Sequence, residues 1–176
     1  MKTTSCRRRI STIVLAAAVL APLSACGGGS SEPGTVAIST VDYAFEDLPS
    51  TVAAGSTLTL TNKAETELHE LVAIRLSDDE DRSAADIVAN PEDLVGLFPD
   101  VETVLIAPPG EDGEPVVGTG TLNKPGRYLI ICAIPTGADP DEYLAAAAES
   151  EGGPPDVPGG PPHFVQGMYG EITVSE

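Results

Sequence analysis

The sequence predicts an all-β fold, a two-sheet sandwich of seven to eight strands with short helical insertions. Three observations predict it. Short apolar runs with period-two alternation recur from Gly34 to the C-terminus. Turn signals separate them, among them Gly55, Pro125-Gly126 and several Pro/Gly clusters. Helical spacing is confined to two stretches, one mid-chain and one just after the most apolar run. Short strands spaced by turn signals, without a sustained repeat, are the pattern of a sandwich.

The N-terminus stands apart from this pattern. "MKTTSCRRRISTIVLAAAVLAPLSAC" opens with Lys2, Arg7, Arg8 and Arg9, followed by an apolar run from about Ile10 to Leu23. That run is short for a membrane span and reads as an export signal. It ends in Leu23-Ser24-Ala25-Cys26, which resembles the bacterial lipoprotein box, in which the cysteine is lipidated and becomes the first residue. The plainer alternative is a cleaved signal peptide with Cys26 incidental. The Gly/Ser run "GGGSSEPG" suits a flexible tether. The expected organisation is a signal peptide over residues 1–25, a tether over 26–34 and one domain over 35–176. The expected location is the outer face of a bacterial cytoplasmic membrane, held there through the lipid alone.

Within the domain, "TVAIST" alternates through Val36 and Ile38, and "VDYAFEDLPSTV" continues with Tyr43, Phe45 and Leu48. "AGSTLTLTN" sets Leu58 and Leu60 on one face and Thr57, Thr59 and Thr61 on the other. After the polar connection "KAETE", the segment "LHELVAIRL" reads as a strand paired antiparallel with the preceding one. The middle segment, "SDDEDRSAADIVANPEDLVGLFPD", has Ser77 as a cap, an acidic first turn and apolar Ala84, Ile87 and Val88 at helical spacing. Asn90-Pro91 interrupts it, and "PEDLVGLF" starts a second short helix. "VETVLIA" reads as a strand, "PPGEDGEPVVG" as a turn-rich loop and "RYLIICAI" as a strongly apolar strand. An Ala-rich helix of about ten residues and a Pro/Gly loop follow, and "MYGEITVSE" closes the chain as a strand through Ile172 and Val174.

Charge narrows the function classes. Beyond residue 25 the chain keeps Lys63, Arg75, Arg82, Lys124 and Arg127 against 27 acidic residues, five against twenty-seven, for a net charge of −22. Such a surface repels nucleic acid and anionic lipid. It either serves solubility alone or attracts a cationic partner. The acidic run "SDDEDRSAAD" lacks the glycine and ligand spacing of an EF-hand loop and reads as a helix N-terminus, not a calcium site.

Of three cysteines, Cys6 and Cys26 fall in the signal and anchor, so Cys132 is the one thiol of the exported domain. No disulfide can form within it. A lone thiol in an oxidising compartment is buried or ligated. The borderline and soft ligands of the domain are His69, Cys132, His163 and Met168. All four lie at strand ends or in adjoining loops. Two imidazoles, a thiolate and a thioether are the donor set of a mononuclear blue-copper site, with His₂Cys as the plane and Met as a weak axial ligand. Taken singly, each residue reads more simply as an ordinary strand-end histidine, a small buried hydrophobe or a core methionine. Zinc in a Cys/His₂ site is an alternative, which the thioether disfavours. A Cys–His nucleophile lacks an activating helix N-terminus.

The segments "LTNKAETELHELVAI" and "GRYLIIC…HFVQGMYGEITV" resemble the two copper-binding segments of the cupredoxins, the family of plastocyanin and azurin. The resemblance covers roughly residues 34–176, with about 45 residues carrying its specific motifs. It implies a Greek-key β-sandwich, with a first ligand, His69, from a loop opening a strand. It also implies that Cys132, His163 and Met168 come from the connection between the last two strands. The four residues between His163 and Met168, and Gly167 before the methionine, match plastocyanins. The implied function is one-electron transfer through a single copper, without enzymatic activity. The implied partner is a redox protein with a cationic patch. A copper chaperone or buffer meeting a copper-handling protein, and a binding module without functional copper, are the alternatives. Two departures stand out. Thirty residues separate Cys132 from His163, with an insertion over about 136–162, where the family has a short loop. Glu70 stands where the family usually has an asparagine that braces the site. A carboxylate there either lies near the thiolate, favouring Cu(II), or points outward.

Overall fold

The computed structural model describes residues 32–150 and 153–176. The expected signal peptide and the lipidation site Cys26 lie outside the described residues. Ten strands run in chain order: β1 (Thr35–Val41), β2 (Ala44–Glu46), β3 (Thr51–Ala53), β4 (Ser56–Asn62), β5 (His69–Arg75), β6 (Val101–Ala107), β7 (Glu114–Val117), β8 (Thr121–Leu122), β9 (Gly126–Ile131) and β10 (Tyr169–Ser175). One sheet has the order β2-β1-β4-β8 and the other β3-β10-β9-β5-β6-β7. This is the two-sheet sandwich expected from the sequence. The strand count exceeds the expected seven to eight because β2, β3 and β8 are two or three residues long, too short to carry an alternation. The fourth short strand, β7, is mostly exposed and lies inside the segment read as a turn-rich loop.

One pairing differs from expectation. β4 and β5 lie in different sheets: β4 pairs with β1 and β8, and β5 pairs with β6 and β9. The burial patterns explain why. β4 buries every second residue, as a strand with one covered face does, whereas β5 is buried from His69 through Ile74. A strand covered on both faces belongs to the middle of the larger sheet. The connection 63–68 is therefore a crossover between layers rather than a hairpin. Asn62 holds its start. Fully buried, it donates Nδ2 to the carbonyls of Glu67 and Ala107, at 2.8 and 3.0 Å, and accepts at Oδ1 from the Ala64 N–H.

The two faces of the larger sheet serve two cores. Leu71, Ala73, Leu105, Tyr128, Ile130 and Ile172 face the smaller sheet's Ile38, Leu58 and Leu60. Val72, Ile74, Val104, Ile106, Leu129 and Ile131 pack on the opposite side with Ile87, Leu94 and Tyr143 from the helical insertions. Those insertions are α1 (Ala84–Val88) and α2 (Pro91–Leu97) between β5 and β6, and α3 (Pro140–Glu149) between β9 and β10. They form a third layer. The cap of α1 is Ser83, not Ser77: Ser83 Oγ accepts from the Asp86 N–H at 3.2 Å. Ser77 instead closes a preceding turn, accepting from the N–H groups of Asp79 and Glu80. α3 has the expected ten residues and is capped by Asp139, whose side chain accepts from the Glu142 N–H.

Candidate metal centre

His69 opens β5, Cys132 follows directly on β9, and His163 begins a one-turn 3-10 segment, His163–Gln166, leading into β10. Strands β5, β9 and β10 are adjacent in one sheet, so their ends converge at one pole of the sandwich. Backbone bonds fix the closing turn on the strand: the His163 N–H donates to Ile134 O, Phe164 N–H to Cys132 O, and Cys132 N–H to Met168 O. Gly167 completes the turn in the left-handed region at φ 109°, a conformation that favours glycine.

The result brings three donors together. One ligand atom each from His69, Cys132 and His163 lie within 4.8 Å of one another. His163 Nδ1 is 3.2 Å from His69 Nδ1 and 3.3 Å from Cys132 Sγ. All three residues are fully buried, as is Met168, which packs in the same cluster as Cys132 and is tied to it through the backbone. Three of the four residues singled out in the sequence thus bring their donor atoms together, although sixty-three positions separate the first from the second, and Met168 packs in the core cluster that holds Cys132.

Electrostatics keep these donors neutral. Burial, and then the neighbouring His163, hold the His69 pKa down to about 4, with Glu67 opposing. Burial likewise lowers that of His163, again against Glu67. Burial raises the Cys132 thiol well above its usual range, and the Glu70 carboxylate adds to this, while the N–H groups of Glu70 and Ile134 oppose it. Neutral imidazoles carry the lone pairs a metal requires. A metal cation held there would displace the thiol proton to solvent and supply the charge compensation that a buried thiolate lacks. Two borderline nitrogens and a soft sulfur, with a thioether close by, fit a copper ion chemically.

Glu70 does not point outward. It is 4% exposed; its Oε1 accepts from the Ala133 N–H and its Oε2 from the Tyr143 hydroxyl, both at 3.0 Å. Its backbone N–H donates to Cys132 Sγ at 3.4 Å. Strand alternation separates these roles. The His69 side chain shares the face of Leu71, whereas Glu70 shares that of Val72, toward α3. There Glu70 and Tyr143 line a cavity of about 60 Å³ with Phe98, Val104 and Ile106. Burial pushes the Glu70 pKa up to about 7, against the bonds from Ala133 and Tyr143.

The long connection between Cys132 and His163 is closed at its neck. Pro135 bridges Pro162, the Thr136 N–H donates to Pro161 O, and the Gly160 N–H donates to Thr136 O at 2.8 Å. Thr136 Oγ1 donates to Pro161 O and accepts from Gln166 Nε2. Sequence reading missed Glu67 and Tyr43. Glu67 Oε2 lies 3.3 Å from His163 Nε2, and the Tyr43 ring meets the His163 ring edge-on at 5.0 Å. "KAETE" reads as a solvated connection, and its available signal is the position of Glu67 two residues before His69.

No protein-family model matches the chain, and no curated protein matches it by sequence. Solved structures do match. A dithionite-reduced auracyanin from the photosynthetic bacterium Roseiflexus castenholzii is 20% identical, with a TM-score of 0.48, covering 85% of this chain and 100% of that one. Auracyanin B is 19% identical, with a TM-score of 0.44, covering 84% and 93%. Auracyanin A, a "blue" copper protein from the green thermophilic photosynthetic bacterium Chloroflexus aurantiacus, is 22% identical, with a TM-score of 0.44, covering 82% and 100%.

Proposed function

We propose that the chain is a one-electron carrier holding a single type 1 copper, with His69, Cys132 and His163 as the plane and Met168 as the axial donor. The observation that carries this reading is the convergence of two neutral imidazole nitrogens and one thiol sulfur in a buried pocket. Copper bound there would alternate between Cu(I) and Cu(II). The chain's part is to hold the donors still. Backbone bonds from Phe164 and Met168 fix the Cys132 and His163 segments to each other, and the Glu70 N–H donates to the sulfur. Burial of all four side chains excludes water, so little rearranges when the charge changes. The donors are buried, and the reading is a carrier rather than an enzyme.

Export, a lipid anchor at Cys26 and a redox partner with a cationic patch complete the proposal. They are supported by the leader sequence and by the charge of −22 beyond it, five basic residues against twenty-seven acidic ones. The alternative of copper delivery draws on the long Cys132–His163 connection, but the bonded neck favours a fixed site over an exchanging one.

The test is a visible absorption spectrum during Cu(II) titration. An intense thiolate-to-copper band should saturate at one equivalent and bleach on reduction. Cys132→Ser should abolish it. A folded protein without the band would overturn the copper reading and leave a binding module whose recognition surface is the insertion.

A further inference from the structure

We propose that Glu67 is a positioning residue for His163, holding the ring so that Nδ1 is the nitrogen presented to the metal. The inference rests on the reading of the three buried donors as metal ligands. Its starting point is the outer nitrogen of His163. The ring is fully buried, and Nε2 has no aligned hydrogen-bond partner among the described residues. Among the described residues, Glu67 Oε2 faces it at 3.3 Å.

Both Glu67 carboxylate oxygens serve as acceptors, Oε1 from the Tyr43 hydroxyl and Oε2 from the Gly137 N–H, so the nitrogen facing Oε2 is the donor and carries the proton. In a neutral imidazole this leaves the lone pair on Nδ1. That atom is the one directed at Cys132 Sγ and His69 Nδ1. The tautomer set by Glu67 is therefore the one the donor cluster requires.

Three elements hold Glu67 in place. Asn62 Nδ2 bonds its carbonyl at 2.8 Å. The Gly137 N–H, from the neck of the insertion, donates to Oε2 at 3.1 Å. The Tyr43 hydroxyl donates to Oε1 at 3.3 Å, and the Tyr43 ring closes over His163. Tyr43 does this from φ 58°, a left-handed conformation that a bulky side chain rarely adopts. The strained residue sits over the metal pole, where its ring and hydroxyl both contact the Glu67–His163 pair. The insertion contributes here as well: without Gly137, one of the two bonds on the Glu67 carboxylate is lost.

The test is long-range ¹⁵N–¹H correlation of the histidine rings in the metal-free protein, with Cu(I) affinity measured in parallel. In the wild type, His163 should be a single Nε2-protonated tautomer with a slowly exchanging ring proton. Glu67→Ala should mix the tautomers and weaken Cu(I) binding about 10–100-fold. Glu67→Gln, whose amide oxygen still accepts, should restore most of the wild-type tautomer and affinity. A wild-type His163 protonated at Nδ1 would overturn the assignment, even if every variant unfolded. So would an unchanged tautomer in folded Glu67→Ala. Failure of the copper reading is distinguishable, because it shows as a missing thiolate band in the wild type.

Discussion

Met168 and Glu80 show how differently single residues act in this molecule. Met168 is fully buried beside Cys132, yet a thioether is a weak axial donor. Met168→Leu conserves volume, so metal-free stability should change by less than about 1.5 kcal/mol. The blue band should persist while the reduction potential moves, which voltammetry reads directly. Glu80 is a surface group whose carboxylate is held down to about 2 by hydrogen bonds from the Arg82 side chain and then from its backbone, with Arg127 adding. A folded-state pKa below the ordinary 4.5 gives stability that is fully present above that value and is lost as pH falls through about 2. Glu80→Gln should therefore narrow the difference in denaturant midpoint between pH 5 and pH 2.5. The donor residues themselves were legible in the sequence because the chain is so poor in their types. Glu67 and Tyr43 were not, because acids and tyrosines at strand ends are common and their value here comes from what they face.

Among elements, the strands with one covered face were readable and their partners were not. β4 alternates and reads as a strand, but its parallel pairing with β1 is a long-range choice that alternation does not encode. β5 and β9 read as apolar runs, and only the helices explain why both faces are covered. The neck of the insertion was hidden in "GGPPDVPGGPP", where glycine and proline signal a loop without saying what it touches. Gly159 is the instructive position. A Cβ there would stand 2.4 Å from Pro135 Cβ, and a proline ring cannot swing aside. Gly159→Ala should destabilise the protein by about 1–3 kcal/mol. If the neck braces the site, copper loss to a chelator should also quicken, and an unchanged loss rate would separate the neck from the donors.

For the whole molecule, charge sets behaviour at a distance while the fold sets behaviour at the pole. Five basic residues, Lys63, Arg75, Arg82, Lys124 and Arg127, stand against twenty-seven acidic ones beyond residue 25. All five make ion pairs with neighbouring carboxylates, so no basic side chain is left to offset the acidic field locally. Stopped-flow electron transfer to a cationic redox protein should slow steeply as ionic strength rises from 0.01 to 0.15 M, where the screening length falls from about 30 to about 8 Å. Transfer to a neutral acceptor should hardly respond.

The bonded neck between Pro135–Thr136 and Gly160–Pro162 also makes the chain beyond it a permissive graft site. The neck shortens the connection from Cys132 to His163, and beyond it α3 reaches back to the donors' surroundings through Tyr143 on Glu70. Each doubling of a flexible loop costs only about 0.6 kcal/mol. α3 is committed through Tyr143 and Glu70, and after it Val157 packs half-buried against the core that holds Cys132, but Gly153, Pro154 and Asp156 are exposed. A peptide tag, a second domain or a pair of new chain termini could be spliced there, with the thiolate-to-copper band of the proposed site reporting whether the host survived.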